Sequence, residues 1–375
     1  MKRIPFLRPN LVHLDSYTPY LAQIDESRIY SNYGPLNTLF EQRLLNQFFA
    51  GRGALTTVAN ATLALMLAIS LIRRPGGRYA LMPSFTFAAT PLAAMWCGLE
   101  PYFIDIEADS WCIDNRLVEQ TLAELGTDVA VVVPYATFGT GTDLSYYSSL
   151  HSSGTPVVVD AAASVGTTLG NQHFGIDFPG AVIYSLHATK AFPIGEGGLV
   201  HSGDASLVAK LRQAANFGFT AARESALLGL NAKLSEFHAA VGLATIDQFS
   251  EKKSTRQQVY GWYRDQLDQQ GLLTKGWGLQ KTHGSIAHQF VPVLCPQGTN
   301  NLAVIDALDR ANIEARTYFR PACHQQPSFS SFPRSSMAVT DSVAARSVSL
   351  PLWEEMPQSD VIRVLAALST VNESK

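Results

Sequence analysis

The chain has 375 residues, of which 46% are hydrophobic and 16% charged, with a formal net charge of −3. These values are typical of a compact enzyme with one large α/β unit or two domains, and they exclude a disordered chain. No basic run is present, so we expect no nucleic-acid partner. Four scattered cysteines without a C-x-x-C pair indicate neither a disulfide framework nor a zinc site. Without a signal peptide or a long apolar run, we expect a soluble cytoplasmic protein and no membrane partner.

Short apolar runs alternate with longer helical patterns, which is typical of βα units on a mostly parallel sheet. Most runs are apolar at consecutive positions, as expected for strands that are covered on both faces. This predicts a mixed α/β fold in which helices flank a mostly parallel central sheet. The predicted strands are 79–82, 102–104, 129–133, 157–159 and 182–186.

Four helices are predicted among these strands. Thr38 and Glu41 have the spacing of a capping box, so the first helix should open there and end near Phe49. The last should be amphipathic and end in the charged cluster 251–253. That last helix should start at Leu234, and the two helices between should start near Asn60 and after Thr86.

The character of the sequence changes after residue 250. We predict a large domain over residues 1–250 and a smaller C-terminal α/β domain over residues 251–375, joined within helical sequence rather than by a linker. In the second domain the pattern predicts one strand and two helices, at 289–294, 301–311 and 360–368.

Lys190 is the most informative single residue. It lies between an apolar strand and a glycine-rich turn, with Ser185 five positions before it. A desolvated amine has a lowered pKa and can form a Schiff base with a carbonyl compound, pyridoxal 5′-phosphate (PLP) foremost. The alternative is a solvated lysine on a surface loop.

Three further groups would be needed to hold PLP. Asp160 ends a buried strand, where its carboxylate could pair with the pyridine nitrogen, or it could merely cap the next helix. The turn at Asn60, Ala61 and Thr62 precedes a helix whose free N–H groups could bind the phosphate, with help from the Ser185 hydroxyl. Ordinary N-capping explains Asn60 and Thr62 as well.

An aromatic wall is the third requirement. Phe85 and Phe87 follow a predicted strand, and one of them could stack on the pyridine ring while the other packs in the core. The small side chain of Ala162 would leave room on the opposite face. Rival chemistries find no support, because the chain has no dinucleotide or Walker loop, no zinc-binding H-E-x-x-H pattern and no nucleophile elbow. We therefore expect no metal site.

A series of short segments completes the pattern. In chain order they are 32–36 with Phe40 and Glu41, 60–65, 83–90, 103–106, 160–162, 185–190, 229–236 with Ala239 and Ala240, 318–321 and 349–352. In these segments the chain resembles the DegT-type sugar aminotransferases. These are PLP enzymes of the aspartate-aminotransferase fold (fold type I) that act on keto-sugars, mostly nucleotide-linked.

The resemblance implies a set of roles. Lys190 would be the Schiff-base lysine, Asp160 the partner of the pyridine nitrogen, and Phe87 the ring that stacks. Asn231 would reach the phosphate of the neighbouring subunit's cofactor, which implies a homodimer with shared active sites. The implied phosphate ligands are Thr62, Ser185 and the backbone at Ala61.

One position departs from the family pattern. The family usually has glutamine or histidine three residues after the aspartate, near the phenolic oxygen of PLP, whereas this chain has Ala163 followed by Ser164. Either Ser164, another side chain or a water supplies that hydrogen bond, or the bond is missing. The departure concerns the tuning of the cofactor rather than its identity.

The expected reaction is a two-stage transamination from an amino donor, L-glutamate in most of the family, to a nucleotide-linked 4-keto-6-deoxy hexose in deoxyamino-sugar biosynthesis. Lys190 would move the proton as general base and acid. In the family, a histidine three residues before the lysine is more typical of amination at C-4 than at C-3, so the resemblance implies C-4 amination through His187, unless His187 makes only a structural hydrogen bond. Arg316 could bind a carboxylate or phosphate, or form a surface salt bridge. Tyr33 could line the sugar pocket, or pack the opening loop, and Tyr318 is a further candidate for substrate binding.

Two alternatives remain open. A relative could act on a carbocyclic or other non-nucleotide ketone with the same cofactor chemistry. A non-catalytic regulator with this fold is the other, although no DNA-binding module accompanies it. A sugar dehydratase of this type would have histidine in place of Lys190.

Overall fold

The computed structural model describes residues 2–373. Its helices are α1 Leu14–Ser27, α2 Pro35–Phe49, α3 Ala61–Ile72, α4 Ala89–Trp96, α5 Asn115–Leu125, α6 Ser145–Ser152, α7 Ala205–Ala214, α8 Glu236–Gln269, α9 Asn301–Arg310, α10 Ala338–Arg346 and α11 Gln358–Ser369. Its strands are β1 Ala54–Val58, β2 Tyr79–Pro83, β3 Glu100–Ile104, β4 Val129–Val132, β5 Val158–Asp160, β6 Thr168–Leu169, β7 Gln172–His173, β8 Ala181–Ser185, β9 Gly198–Ser202, β10 Gly278–Leu279, β11 Val291–Leu294 and β12 Ser347–Leu350.

The central sheet is mostly parallel, as predicted. One part has the order β1-β9-β8-β5 and the other β3-β2-β4, and a parallel bridge between Val132 and Val157 joins them. Only β9, among these strands, runs antiparallel to its neighbours. Each strand is buried on both faces, because one apolar cluster packs α2 and α8 on one side and another packs α3 and α4 on the other. This explains the continuous apolar runs of β2, β4, β5 and β8, whereas β1 and β9 are buried although they contain polar residues such as Thr56 and His201.

Two helix boundaries differ from the prediction. α2 begins at Pro35 rather than Thr38, and Gly34 is its N-cap. Proline is favoured at the first helical position, so the helix opens before the capping-box pattern. α8 continues past the charged cluster 251–253 to Gln269. It continues because its next turns are buried in a second core, whose apolar residues the charged cluster does not interrupt.

That second core lies around an antiparallel sheet of order β10-β11-β12. α8 contributes to both cores, with Leu243 and Phe249 in the first and Val259 and Tyr263 in the second. Ile4 also packs in the second core, since it bridges to Ile313. The boundary near residue 250 thus falls within α8, and the division into two domains there stays a prediction. Among residues 2–373, no helix combines the length and apolar character that a membrane crossing requires.

Candidate active site

Lys190 lies in the tight connection between β8 and β9. The backbone N–H of Ala188 donates to Gly195 O at 2.7 Å, and that of Lys190 donates to His187 O at 2.9 Å. The half-buried side chain donates from Nζ to Gln289 Oε1 at 3.3 Å. Burial lowers the pKa of the lysine, against the opposing effect of the Asp160 carboxylate. These contacts favour a partly desolvated amine over a solvated surface lysine.

Asp160 lies at the carboxyl end of β5 and is 3% exposed. Thr90 Oγ1 donates to its Oδ2 at 2.7 Å, and the backbone N–H of Ala162 donates to Oδ1 at 3.1 Å. Burial raises the pKa of Asp160, while these two hydrogen bonds and the charge of Lys190 oppose the rise. No helix begins directly after β5, so the carboxylate is not an N-cap and could pair with a cationic ring nitrogen.

The start of α3 provides an anion cradle. Asn60 Oδ1 accepts from the N–H of Leu63 at 2.9 Å, so Asn60 is the N-cap, as predicted. The N–H groups of Ala61 and Thr62 belong to the first turn, which has no helical acceptors for them. A Cβ built on Gly198 would lie 2.7 Å from the backbone N of Ala61, so only glycine permits this approach. Ser185 pairs with Gly198 across β8 and β9, which brings its hydroxyl to the same region.

The two phenylalanines of the aromatic segment have different surroundings. Phe85 is fully buried and packs against Trp111 and Phe138. Phe87 is 60% exposed, and its ring centroid lies 6.5 Å from that of Phe319. Phe85 is therefore a core residue, and Phe87 is the ring that is free to stack on a ligand.

These groups fit PLP. A half-buried amine suits its aldehyde, a buried carboxylate its ring nitrogen, an open helix start its phosphate, and an exposed phenyl ring its face. Within residues 2–373, no group of histidine, cysteine and acidic side chains is arranged to hold a metal ion.

His187 lies close to this site. Its Nδ1 is 2.8 Å from Thr189 Oγ1, and its Nε2 is 3.6 Å from Glu196 Oε1. The ring is half exposed, with 43% of the side chain accessible. His187 thus combines a local hydrogen bond with a face that is open to a substrate.

The other predicted substrate residues have structural contacts. Tyr33 donates to Arg212 O at 3.2 Å, burial raises its pKa to about 12, and the Arg212 guanidinium lies 3.8 Å from its ring centroid. Arg316 is half exposed and lies 5.4 Å from the ring of Phe6. Tyr318 packs against Phe6, with ring centroids 5.9 Å apart. Among the described residues, no hydrogen bond or ring contact joins these three side chains to Lys190, and their substrate roles stay predictions.

Asn231 is exposed on the surface, where Lys233 Nζ donates to its Oδ1 at 2.7 Å. Among the described residues it shares no hydrogen bond with Lys190 or Asp160, and the neighbouring Ala232 accepts at its carbonyl from the N–H of Ala59 at 2.7 Å. This position is compatible with a contact to another subunit, which stays a prediction.

Three site residues were not singled out by the sequence. Thr90 holds Asp160, Phe319 lies beside Phe87, and Gln289 contacts Lys190. Thr90 carried one signal, because Thr86 and Thr90 are four residues apart and their hydroxyls lie 3.1 Å apart. Phe319 and Gln289 come from distant parts of the chain, so no local pattern could reveal them.

A serine, a histidine and an aspartate also form a chain of contacts elsewhere. Ser84 Oγ lies 2.7 Å from His324 Nδ1, and His324 Nε2 lies 3.1 Å from Asp341 Oδ1. Ser84 is fully buried, and its hydroxyl accepts from the backbone N–H of His324 at 2.9 Å. A buried hydroxyl held in this way is a structural tie rather than a hydrolase nucleophile.

The sheet topology and the donor set define a fold-type-I PLP enzyme. The chain matches the DegT/DnrJ/EryC1/StrS aminotransferase family over residues 15–369, and it belongs to that family. It is therefore a PLP-dependent aminotransferase of a sugar aminotransferase family.

Solved structures show the same fold. A putative PLP-dependent aminotransferase from Bacillus cereus is 49% identical, with a TM-score of 0.97 over 98% of this chain and 100% of that chain. DesI, solved in the presence of its TDP-sugar product, is 30% identical, with a TM-score of 0.88 over 99% of this chain and 93% of that chain.

Two relatives are similar to this chain along nearly its whole length. Protein Rv3402c of Mycobacterium tuberculosis is 34% identical, covering 98% of this chain and 89% of the relative. A dTDP-4-amino-4,6-dideoxy-D-glucose transaminase of Escherichia coli is 26% identical, covering 98% of each.

Proposed function

We propose that this protein transfers an amino group from L-glutamate to C-4 of a nucleotide-linked 4-keto-6-deoxy hexose. One observation carries the proposal: the Lys190 amine and the Asp160 carboxylate are both partly or fully buried within one site that also holds an open helix start and an exposed phenyl ring. The named products of similar proteins support the substrate class, since DesI was solved with a TDP-sugar product and the E. coli relative is named for a dTDP-4-amino sugar.

The residues divide the work of the reaction. PLP supplies an electron sink when bound. Lys190 would hold PLP covalently, and its free Nζ would accept the proton of the donor α-carbon, which burial favours because it lowers the pKa of the lysine. Asp160 holds the ring nitrogen by charge, and Phe87 holds the ring by stacking. The N–H groups at Ala61 and Thr62, with the Ser185 hydroxyl, bind the phosphate.

His187 is the proposed pointer to the sugar. It comes directly after Leu186 at the end of the β8 segment, three residues before Lys190, and its Nε2 side is open. Glu196 lies 3.6 Å from that nitrogen, so a sugar hydroxyl could bridge the two side chains. This arrangement supports a role in orienting the keto-sugar rather than in proton transfer at the donor.

We also propose a homodimer with shared active sites. Exposed apolar side chains lie in the segment that carries Asn231, and Leu228 is 80% exposed. Water-facing apolar groups in one stretch are typical of an interface. The exposed members are Phe217, Phe219, Leu228, Leu230 and Phe237.

Absorption spectroscopy tests the cofactor role. Purified protein loaded with PLP should show a visible band, and Lys190→Ala should abolish that band because the covalent link is lost. Lys281→Ala is the matched control, since Lys281 is exposed and should leave the band unchanged. A colourless wild type, or a band that survives in Lys190→Ala, would contradict the proposal.

A substrate panel tests the reaction. L-glutamate should convert the band to that of the pyridoxamine form, and nucleotide-linked 4-keto-6-deoxy hexoses should reverse the change. A 3-keto sugar nucleotide and a carbocyclic ketone are the competing substrates. Faster reversal by either of these would overturn the substrate assignment.

A further inference from the structure

The hydrogen-bond partner of the Lys190 amine is Gln289. The distance between Nζ and Oε1 is 3.3 Å, and the glutamine is 9% exposed. An amide has both donors and an acceptor, so the same side chain can also serve an anionic oxygen. In PLP the phenolic oxygen is carried on the ring carbon next to the one that bears the aldehyde. A group within hydrogen-bond distance of the lysine nitrogen would therefore lie near that oxygen once PLP is attached.

Gln289 is held in this position from α8. Arg256 Nη1 donates to His288 O at 2.9 Å, and Arg256 Nε donates to Glu354 Oε1 at 2.9 Å. Both charged side chains are buried, with 6% and 8% of their surfaces exposed. The ring of His288 stacks on Tyr260 at a centroid distance of 3.7 Å. The backbone that precedes the Gln289 side chain is thus fixed on two sides.

Ile286, three residues before Gln289 on the same segment, lies near Ala163. A Cβ built on Gly139 would lie 2.5 Å from Ala163 O and 3.3 Å from Ile286 Cγ2, so both residues crowd one point. Ala163 carries no donor that could reach a ligand. Ser164 is buried, and it lines a small apolar cavity with Phe48 and other apolar side chains. Gln289, which contacts Lys190, therefore offers a side-chain amide where Ala163 offers none.

We propose that Gln289 is a cofactor-binding residue whose amide donates a hydrogen bond to the phenolic oxygen of PLP. It supplies from the C-terminal part of the chain the bond that Ala163 cannot make. The inference rests on the proposed attachment of PLP to Lys190. His288, the neighbour of Gln289, adds no positive charge there, because burial lowers its pKa to about 3.

The experiment is a pH titration of the visible band of the PLP-loaded protein. A donor to the phenolic oxygen favours its anionic form and so promotes loss of the neighbouring proton. Gln289→Ala should therefore raise the titration midpoint by about one pH unit, a tenfold change in the equilibrium. Gln289→Leu keeps nearly the size of the side chain, carries no charge and cannot donate, so it should raise the midpoint as far. PLP should also dissociate more readily from both variants.

Gln257→Ala is the matched control. Gln257 Nε2 donates to Ser285 Oγ at 2.7 Å and to Ile286 O at 3.2 Å, so it anchors the same segment from α8. Its variant should titrate like the wild type. The inference is overturned if both Gln289 variants keep the wild-type midpoint, or if Gln257→Ala shifts it equally.

The two proposals fail in different ways. A wild type without a Lys190-dependent band contradicts the proposed function itself. A wild type that has this band and responds to L-glutamate, with Gln289 variants that titrate normally, contradicts only the role of Gln289. If Gln289→Ala does not fold, the Gln289→Leu variant, which is close to it in size, decides.

Discussion

The proposed chemistry needs a neutral Lys190 amine and an ionised Asp160 carboxylate, and burial favours the neutral form of both groups. Desolvation lowers the pKa of the lysine, which favours a neutral nucleophile, but it raises the pKa of the aspartate, which opposes the carboxylate. The hydrogen bonds from Thr90 and Ala162 oppose that rise at the aspartate. The site thus uses local donors that favour the carboxylate against the effect of burial.

The Thr90 hydroxyl provides a test of this compensation. Thr90→Val removes a donor to the Asp160 carboxylate and should raise the pKa of that carboxyl further. The ionised form is needed, so as the pH falls the variant should lose activity before the wild type does. The acid limb of its pH profile should lie about one pH unit higher. The measurement is the pH profile of the half-reaction with L-glutamate.

Thr86→Val is its control. The Thr86 hydroxyl lies 3.1 Å from that of Thr90 and makes no hydrogen bond to Asp160 in the described part of the chain. A smaller shift is expected there. An acid limb that stays in place in Thr90→Val would show that the hydrogen bond does not control the carboxylate.

Some site residues could be predicted and others could not, for a physical reason. Asp160 and Lys190 follow apolar runs, and such runs predict strand ends, where α/β folds gather ligands. Gln289 follows no such signal, because its contact with Lys190 depends on how α8 and the C-terminal residues pack. The local pattern thus singled out Asp160 and Lys190 as candidates, whereas long-range packing determined which side chains contact them.

At the scale of elements, the start of α2 depends on a side chain from α8. Glu236 is 1% exposed, and its two oxygens accept from the N–H groups of Leu36 and Asn37 at 2.8 and 2.9 Å. A Cβ on Gly34 would lie 2.7 Å from Glu236 Cδ, so the glycine permits the approach. A buried carboxylate thus takes the place of a side-chain N-cap.

Glu236→Gln should destabilise the protein by about 2 kcal/mol, because an amide NH₂ would face a backbone N–H and leave a buried donor unsatisfied. Chemical denaturation followed by far-UV circular dichroism measures the free energy of unfolding. Glu251→Gln on the same helix is the control, since Glu251 is exposed and a change within about 0.5 kcal/mol is expected. Equal stabilities of the two variants would contradict the capping role.

This contact also explains an error in the sequence prediction. Thr38 and Glu41 have the spacing of a capping box, yet Glu41 accepts instead from the N–H of Thr57 at 2.8 Å on β1. The true start of α2 depends on Pro35 and on a residue about 200 positions away. The predicted strands that correspond to β2, β3, β4, β5 and β8 were located by their apolar runs, because burial on both faces leaves a local pattern. The strands β1, β9 and β12 contain threonine, histidine or serine and were not predicted, and helix ends follow tertiary contacts.

At the scale of the whole molecule, the exposed apolar segment around Leu228 bears on assembly. Leu228→Glu places a charge at a side chain that is 80% exposed in the single chain, and it should shift the dimer towards monomer. Size-exclusion chromatography with light scattering measures the mass.

Leu302→Glu, on α9, is the matched control, because Leu302 is 48% exposed and lies outside that segment. The Leu228 variant should also bind PLP more weakly, since Asn231 is proposed to reach the neighbouring cofactor. A wild type that is monomeric at all concentrations would contradict the shared-site arrangement.

α8 has a mechanical consequence for the molecule. Its 34 residues form one rod of about 50 Å that is anchored in both cores. A flexible linker would let the two parts drift independently, but here any displacement of the C-terminal core must bend this rod or shear along it. Arg256 lies on α8 and binds the backbone next to Gln289, so bending or sliding of α8 would move Gln289 relative to Lys190. A shift of the smaller core would therefore change the position of the Gln289 amide beside the Lys190 amine.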